Sequence, residues 1–207
     1  MTGGHVVGGS NPLAPNMNTK KGMTSKSINS HPTEEECMKL IEEYEMLPNI
    51  ISHSIQVKNV SEAIYKNIID KSNINLELLI ASALLHDIAK TKSIQEKDLR
   101  HDLTGGKILR DLGFDDIAVI VENHVVFTGF DKEGPLTEKE IIYYADKRVL
   151  HDKIVTIHTR VDDLAKRYGL NDKIRQLILD NKKFVLELEA KIQRHMDIDI
   201  EESLKDL

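Results

Sequence analysis

Apolar residues first fall into a repeating pattern after Thr33. Thr33-Glu34-Glu35-Glu36 has the form of a capping box and precedes the stripe Met38, Leu40, Ile41, Tyr44. This predicts a helix that Pro48 ends. Ile50, His53, Val57, Val60 and Ile64 recur three and four positions apart and predict a second helix over about 49–70. The turn Ser72-Asn73-Ile74-Asn75 leads to a third, about 76–86. That segment is apolar on most sides and therefore central. Thr91 to Arg100 is polar and reads as a loop. Helices over about 102–112 and 115–124 are divided by Gly113. Phe127 to Pro135 holds Gly129, Gly134 and Pro135 and reads as an irregular lid over a pocket. Its Phe127 and Phe130 could stack on a base or anchor the loop to the core. Thr137-Glu138-Lys139-Glu140 is a second capping box and opens a helix over about 138–150. Two longer helices, about 152–168 and 172–195, are divided by Gly169 and Asn171. No useful strand alternation and no internal repeat is present.

The pattern predicts an all-α, single-domain helical bundle over 33–207. Residues 1–32 are rich in Gly, Ser, Asn and Thr, lack any period, and read as a disordered leader. Met17 or Met23 could be the natural start. His5 and His31 fall in this leader and carry no expected function. The apolar stripe Ile174, Leu177, Ile178, Phe184, Val185, Leu188 is explained by core packing, with a homo-oligomeric contact as the alternative.

Composition narrows the class. The chain has 207 residues, enough for one domain with a sizeable core. Only 4% are aromatic and none is Trp, so the core is built from Leu, Ile, Val and Ala. The single cysteine, Cys37, allows no intrachain disulfide and suggests a reducing, cytoplasmic setting. It reads as a partly buried structural residue. No apolar run approaches the roughly 18 residues of a membrane span. The net charge of −6 gives no nucleic-acid signal, although a small anionic substrate stays compatible with it.

The candidate chemistry lies where polar residues interrupt apolar stripes. The run Ala81-Ser82-Ala83-Leu84-Leu85 ends in His86-Asp87. His53 lies on the inward stripe of the second helix, and Asp146 shares a stripe with Ile142, Val149 and Leu150. Each such group costs about 1–3 kcal/mol if buried unsatisfied. One divalent metal site would satisfy several at once. His101 and His124 are further nitrogen ligands, and Asp87 has two oxygens with which to bridge two ions. His53, His86, His101, His124 and Asp146 are 33, 15, 23 and 22 positions apart, so they come from different helices or their ends. Lys90 either binds substrate phosphate or caps the end of the third helix. Lys147 and Arg148 neighbour Asp146 but face away from its stripe. His151, His158 and His195 sit in charged segments and read as solvated.

This order of residues resembles the HD superfamily of metal-dependent phosphohydrolases, of an uncharacterised hydrolase type. Its minimal pattern H…HD…D appears as His53, His86-Asp87 and Asp146. His101 with Thr104-Gly105-Gly106-Lys107-Ile108-Leu109, then Glu122-Asn123-His124, then Tyr144-Ala145-Asp146-Lys147-Arg148, are similar to the family's later segments. The resemblance covers about residues 50 to 150. It implies a first ion held by His53, His86, Asp87 and Asp146, and a second held by His101 and His124 with Asp87 bridging. Asp87 and Lys90 are its expected catalytic residues. Ala89 stands where the HD-I-G-K form of the motif has Gly. Val125 follows His124, so there is no double histidine, and no Gly-Tyr-Pro run. Cyclic-di-GMP hydrolysis is therefore not expected, and the E-D pair of (p)ppGpp hydrolases is absent too. The implied cofactor is one or two divalent ions of manganese, iron, magnesium, nickel, cobalt or zinc. The implied activity is hydrolysis of a small phosphate ester, such as a nucleotide, by a metal-activated water. A di-iron oxygenase and a non-catalytic metal-binding regulatory module are the alternatives.

Overall fold

The computed structural model describes residues 31–207, apart from Leu99 and Leu170. Residues 1–30 of the expected leader, His5 included, lie outside the described residues. His31 and Pro32, assigned to that leader from sequence, are buried. His31 Nε2 lies 3.6 Å from Asp116.

Helix α1 runs Glu34–Glu43 behind a complete capping box between Thr33 and Glu36. Its end comes before Pro48, which instead opens α2, Pro48–Lys66. A proline at the first helical position loses no hydrogen bond, because that N–H has no helical partner. Glu45, at φ 51, makes the turn between the two. The α2 helix stops short of residue 70. Asn67 turns its side chain onto the Ala63 carbonyl at 2.8 Å, and Ile68 bridges to Met196. Asn75 caps α3, Leu76–Leu85, six of whose ten residues are buried.

The expected loop at 91–100 begins as a helix: α4 spans Lys90–Glu96. Hydrophobic periodicity misses it because its buried face is hydroxylic. Thr91 and Ser93 are buried there, and Thr91 Oγ1 accepts the Leu47 N–H at 3.0 Å. Then come α5, His101–Asp111, and α6, Asp115–Glu122, joined through Gly113 at φ 87. A Cβ on Gly105 would stand 3.1 Å from Val121 Cγ1, and one on Gly106 2.4 Å from Glu122 Cγ. These two glycines let α5 lie close on α6.

Helix α7, Glu138–Arg148, starts with the second capping box. It does not continue to 150. Val149–Leu150 (β1) pairs antiparallel with Lys153–Ile154 (β2), and His151 turns the hairpin at φ 57. Helix α8 therefore starts late, at Ile157–Tyr168 behind the cap Thr156, and α9 (Asp172–Arg194) and α10 (Ile200–Leu204) follow.

Two apolar clusters flank α3. One joins Cys37, Ile41, Leu84, Leu85, Leu109, Ile117 and Val121. The other joins residues of α2, α7 and α9, including Val57, Ile64, Ile142, Tyr144, Leu188 and Ile192. The 127–135 segment is anchored, not open. Phe127 and Phe130 pack with Tyr143 and Phe184, ring centroids 5.1 to 5.3 Å apart for Phe127–Tyr143, Phe127–Phe184 and Phe130–Phe184. Buried Lys191 donates to the carbonyls of Asp131 and Pro135 and pairs with Glu140 at 2.8 Å. The α9 stripe divides: Val185 and Leu188 are buried, while Leu177 is exposed. Among the described residues no helix is long and apolar enough to cross a membrane.

Candidate metal centre

Three histidine rings are fixed by the same device. A backbone carbonyl can only accept, so a ring nitrogen bonded to one must carry the proton. His53 Nδ1 lies 2.9 Å from the His151 carbonyl. His86 Nδ1 lies 2.8 Å from that of Ala83, and His124 Nδ1 2.6 Å from that of Val121. Each ring therefore turns Nε2 inward, the nitrogen that is left to a metal when Nδ1 keeps its proton.

These nitrogens meet two carboxylates. His53 Nε2 is 3.0 Å from Asp146 Oδ1, and His86 Nε2 is 4.0 Å from the same oxygen and 3.6 Å from Asp87 Oδ2. On the other side His101 Nε2 and His124 Nε2 are 3.2 and 3.3 Å from Asp87 Oδ1. Two groups of close donor atoms result: His53, His86 and Asp87, and Asp87, His101 and His124. They share Asp87, the carboxylate singled out for bridging.

The local folding explains the meeting. His86 caps α3, and the chain turns twice behind it, with Ile88 N–H on the Leu85 carbonyl and Lys90 N–H on that of Asp87. His101 starts α5 and His124 follows α6, so the glycine-permitted contact of these helices brings both rings together. Asp146 sits in the last turn of α7.

A divalent cation fits this donor set. His86 is fully buried, and its Nε2 has no hydrogen-bond partner. Burial pushes its imidazole down to about 4, so at neutral pH it holds a free lone pair. Such a group costs about 1–3 kcal/mol unless something accepts that pair. Burial would also push both carboxyls up. For Asp87 the neighbouring His86 and Lys90, with hydrogen bonds from His101 and His124, outweigh it and hold the acid well below the usual carboxylate range. For Asp146 the charge of Lys147 does the same, with His53 and His86. Burial lowers His53, but the Asp146 carboxylate more than restores it. The centre thus combines imidazole nitrogens, that of His86 neutral, with ionised oxygens, the mixture that suits zinc, manganese or iron.

Several residues play parts that the sequence did not indicate. Lys147 was expected to face away. Its buried Nζ instead lies 2.5 Å from Asp146 Oδ2 and donates to the His124 carbonyl at 2.9 Å. A lysine stem is long enough to fold back from the next helical position onto its neighbour. Arg148 is buried in a separate network, donating to Tyr144 Oη, the Val155 carbonyl and Glu201. His151 contributes its carbonyl, not its ring. Lys90 does not cap α3. It opens α4, and its Nζ lies 3.1 Å from Asp87 Oδ2. His195 is half-buried, with Nδ1 on the Lys191 carbonyl. Cys37 is completely buried.

Residues 50–149 match the HD domain family, a span that holds all six histidine and aspartate positions of the centre. An uncharacterised protein of Methanocaldococcus jannaschii is 30% identical over 149 residues, which cover 64% of this chain and 86% of that protein. A tRNA (cytidine(56)-2'-O)-methyltransferase of Thermoplasma volcanium is 33% identical over 165 residues, 73% of this chain and 46% of that protein. Its namesake in Picrophilus torridus is 28% identical over 188 residues, 83% of this chain and 51% of that protein. The chain spans about half the length of these methyltransferases. No solved structure matches it. With the H…HD…D order folded into one donor cluster and the family's span laid over it, the chain belongs to the HD-domain superfamily.

Proposed function

We propose that this chain is a metal-dependent phosphohydrolase that cleaves a small phosphate ester. The observation that carries the reading is the pair of donor groups sharing Asp87, with the lone pair of buried His86 turned into the first. His53, His86, Asp87 and Asp146 would hold one ion. His101 and His124, with Asp87 between, would hold the other. Divalent ions in such a pair lower the pKa of bound water toward neutrality and neutralise charge on a phosphoryl group.

The chain's own residues supply the rest. Lys90, half-exposed beside Asp87, offers a mobile point charge to a phosphate oxygen. Lys147 holds the Asp146 carboxylate in place and ties it to the end of α6. The carbonyls of His151, Ala83 and Val121 fix three imidazoles in one tautomer, so no ring has to reorient when a cation arrives.

The names of the methyltransferase relatives bring RNA into the range of phosphate esters to be tried. Phosphate release is measured from nucleoside mono-, di- and triphosphates and from tRNA carrying a terminal phosphate, with manganese, cobalt, nickel, iron or magnesium. Release that needs the metal and is lost in Asp87→Ala supports the reading. Turnover of tRNA only with S-adenosylmethionine present, or iron-dependent oxygen uptake without phosphate release, would replace it.

A further inference from the structure

A cavity of about 240 Å³ opens on the α4 side of the centre, lined by Lys90, Ser93, Ile94, Lys97, Asp98 and His101. Two of these residues also touch the shared carboxylate: Lys90 Nζ and His101 Nε2 lie 3.1 and 3.2 Å from Asp87 oxygens. The cavity is therefore continuous with the metal centre. It is smaller than the roughly 300–1,000 Å³ that encloses a drug-sized ligand. Its size suits a compact polar group.

Its walls favour an anion. Lys90 and Lys97 bring two positive charges. Against them stands one acid, Asp98, which accepts from the Arg100 N–H at 2.9 Å and from Thr104 Oγ1 at 2.8 Å. Lys97 makes no ion pair among the described residues, whereas Lys90 is engaged with Asp87. Lys97 ends α4 at φ 57, in the left-handed region, where an ordinary side chain costs about 1–2 kcal/mol and glycine or asparagine is usual. Ser93 is 4% exposed, and its Oγ has no hydrogen-bond partner. A helical serine normally returns its hydroxyl to the carbonyl four residues back. Here Lys97, in a strained conformation, and Ser93, with an unsatisfied buried hydroxyl, line one small cavity beside the site.

We propose that this cavity takes a second phosphoryl group of the substrate, so that the preferred substrates are compact compounds bearing two phosphoryl groups a few bonds apart. The reacting phosphoryl lies at Asp87 and Lys90, and the distal one between Lys97 and Ser93. The placement of the reacting group rests on the phosphohydrolase reading. The charge recognition at Lys97 does not.

The test is calorimetric binding of inorganic phosphate and of methylenebisphosphonate, which is not hydrolysed, to the metal-loaded protein. Wild type is expected to bind the bisphosphonate about tenfold tighter than phosphate, the scale of one charge-assisted contact. Lys97→Asn removes the charge while keeping a residue that tolerates φ 57. It is expected to erase that preference, Lys97→Arg to retain it, and Ser93→Ala to reduce it in part. Equal affinity of wild type for both ligands, or an unchanged preference in Lys97→Asn, would overturn the proposal. A Lys97-dependent preference in a protein that releases phosphate from no ester would uphold the cavity and refute only the hydrolase reading.

Discussion

Lys147 forms a salt bridge of 2.5 Å with Asp146, its immediate neighbour in the chain, and the same ammonium holds the His124 carbonyl at 2.9 Å. One side chain thus ties together the end of α7 and the end of α6, which contribute to opposite halves of the donor cluster. Both charges are largely buried, at 12% and 10% side-chain exposure. Burial pushes the lysine down, but the carboxylate beside it raises it above its ordinary value, so the pair stays ionised.

Removing one partner of a buried pair strands the other charge, at a cost of about 3–5 kcal/mol. Lys147→Met is therefore expected to destabilise the metal-free protein by about 3 kcal/mol in urea unfolding. A bound cation supplies the missing positive charge beside Asp146. Adding manganese should then recover more stability in Lys147→Met than in wild type. Equal metal-induced shifts in the two proteins would show that Asp146 lies outside the ion's reach.

His101 and His124 touch only one oxygen of Asp87, and their Nε2 atoms are 3.1 Å apart. His53 and Asp146 lie on the other side of that carboxylate. Replacing His101 by Ala should lower the bound metal by about one ion per chain. The ion at His53, His86, Asp87 and Asp146 should remain. Metal content after dialysis, by mass spectrometry, reads this directly. Loss of all metal in His101→Ala, or of none, would remove the two-ion arrangement.

Four of the six positions that meet in the cluster stand out in the sequence for a physical reason. His53 and Asp146 interrupt apolar stripes, and His86-Asp87 ends the most apolar helix, so each was a polar group facing a core. The fold class was legible for the same reason, from stripes at helical spacing. What stayed hidden has no apolar signature. The buried face of α4 is Thr91 and Ser93, which periodicity counts as polar. The His151 carbonyl that orients His53 is backbone, and any residue could provide it. The place of Lys147 is hidden because a stripe follows the Cβ direction, while a lysine acts at the far end of four methylenes. Pro48 reads equally as the end of one helix or the start of the next, and here it starts one.

Gly105 tests whether close contact of α5 and α6 builds the second half of the centre. A Cβ there would meet Val121 Cγ1 at 3.1 Å and Ile88 Cγ2 at 3.5 Å, both on buried residues that cannot step aside. Overpacking of this kind costs about 1–3 kcal/mol. The better helix propensity of alanine returns up to about 1 kcal/mol. Gly105→Ala should therefore lose about 1 kcal/mol and weaken the ion at His101 and His124. A Cβ on Gly106 would stand 2.4 to 2.7 Å from Glu122 Cγ, Oε1 and Cδ, so that side chain must swing away and give up its pair with Arg110. Gly106→Ala should therefore lose stability too, by about 1 kcal/mol. Wild-type stability in Gly105→Ala, with the ion at His101 and His124 held as tightly as before, would contradict this close contact of α5 and α6.

Cys37 is wholly buried in the cluster with Ile41, Leu84 and Leu85, its thiol 3.8 Å from the Pro32 carbonyl. Burial, with Glu34 and Glu36 nearby, pushes the thiol from an ordinary value of 9.0 up to about 12. The folded state therefore binds this proton more tightly than the unfolded state. Its contribution is fully present below pH 9 and is lost as pH rises toward 12, at about 1.4 kcal/mol per pH unit once the unfolded thiol ionises. At pH 8 a disulfide-exchange reagent such as Ellman's should leave the native protein unlabelled and label it in denaturant. Between pH 9 and 11, urea unfolding of wild type should lose stability faster than that of Cys37→Ala, by about 1–3 kcal/mol across the window. Parallel pH profiles for the two proteins, or labelling of the native thiol within seconds, would show that Cys37 is not sealed in this core.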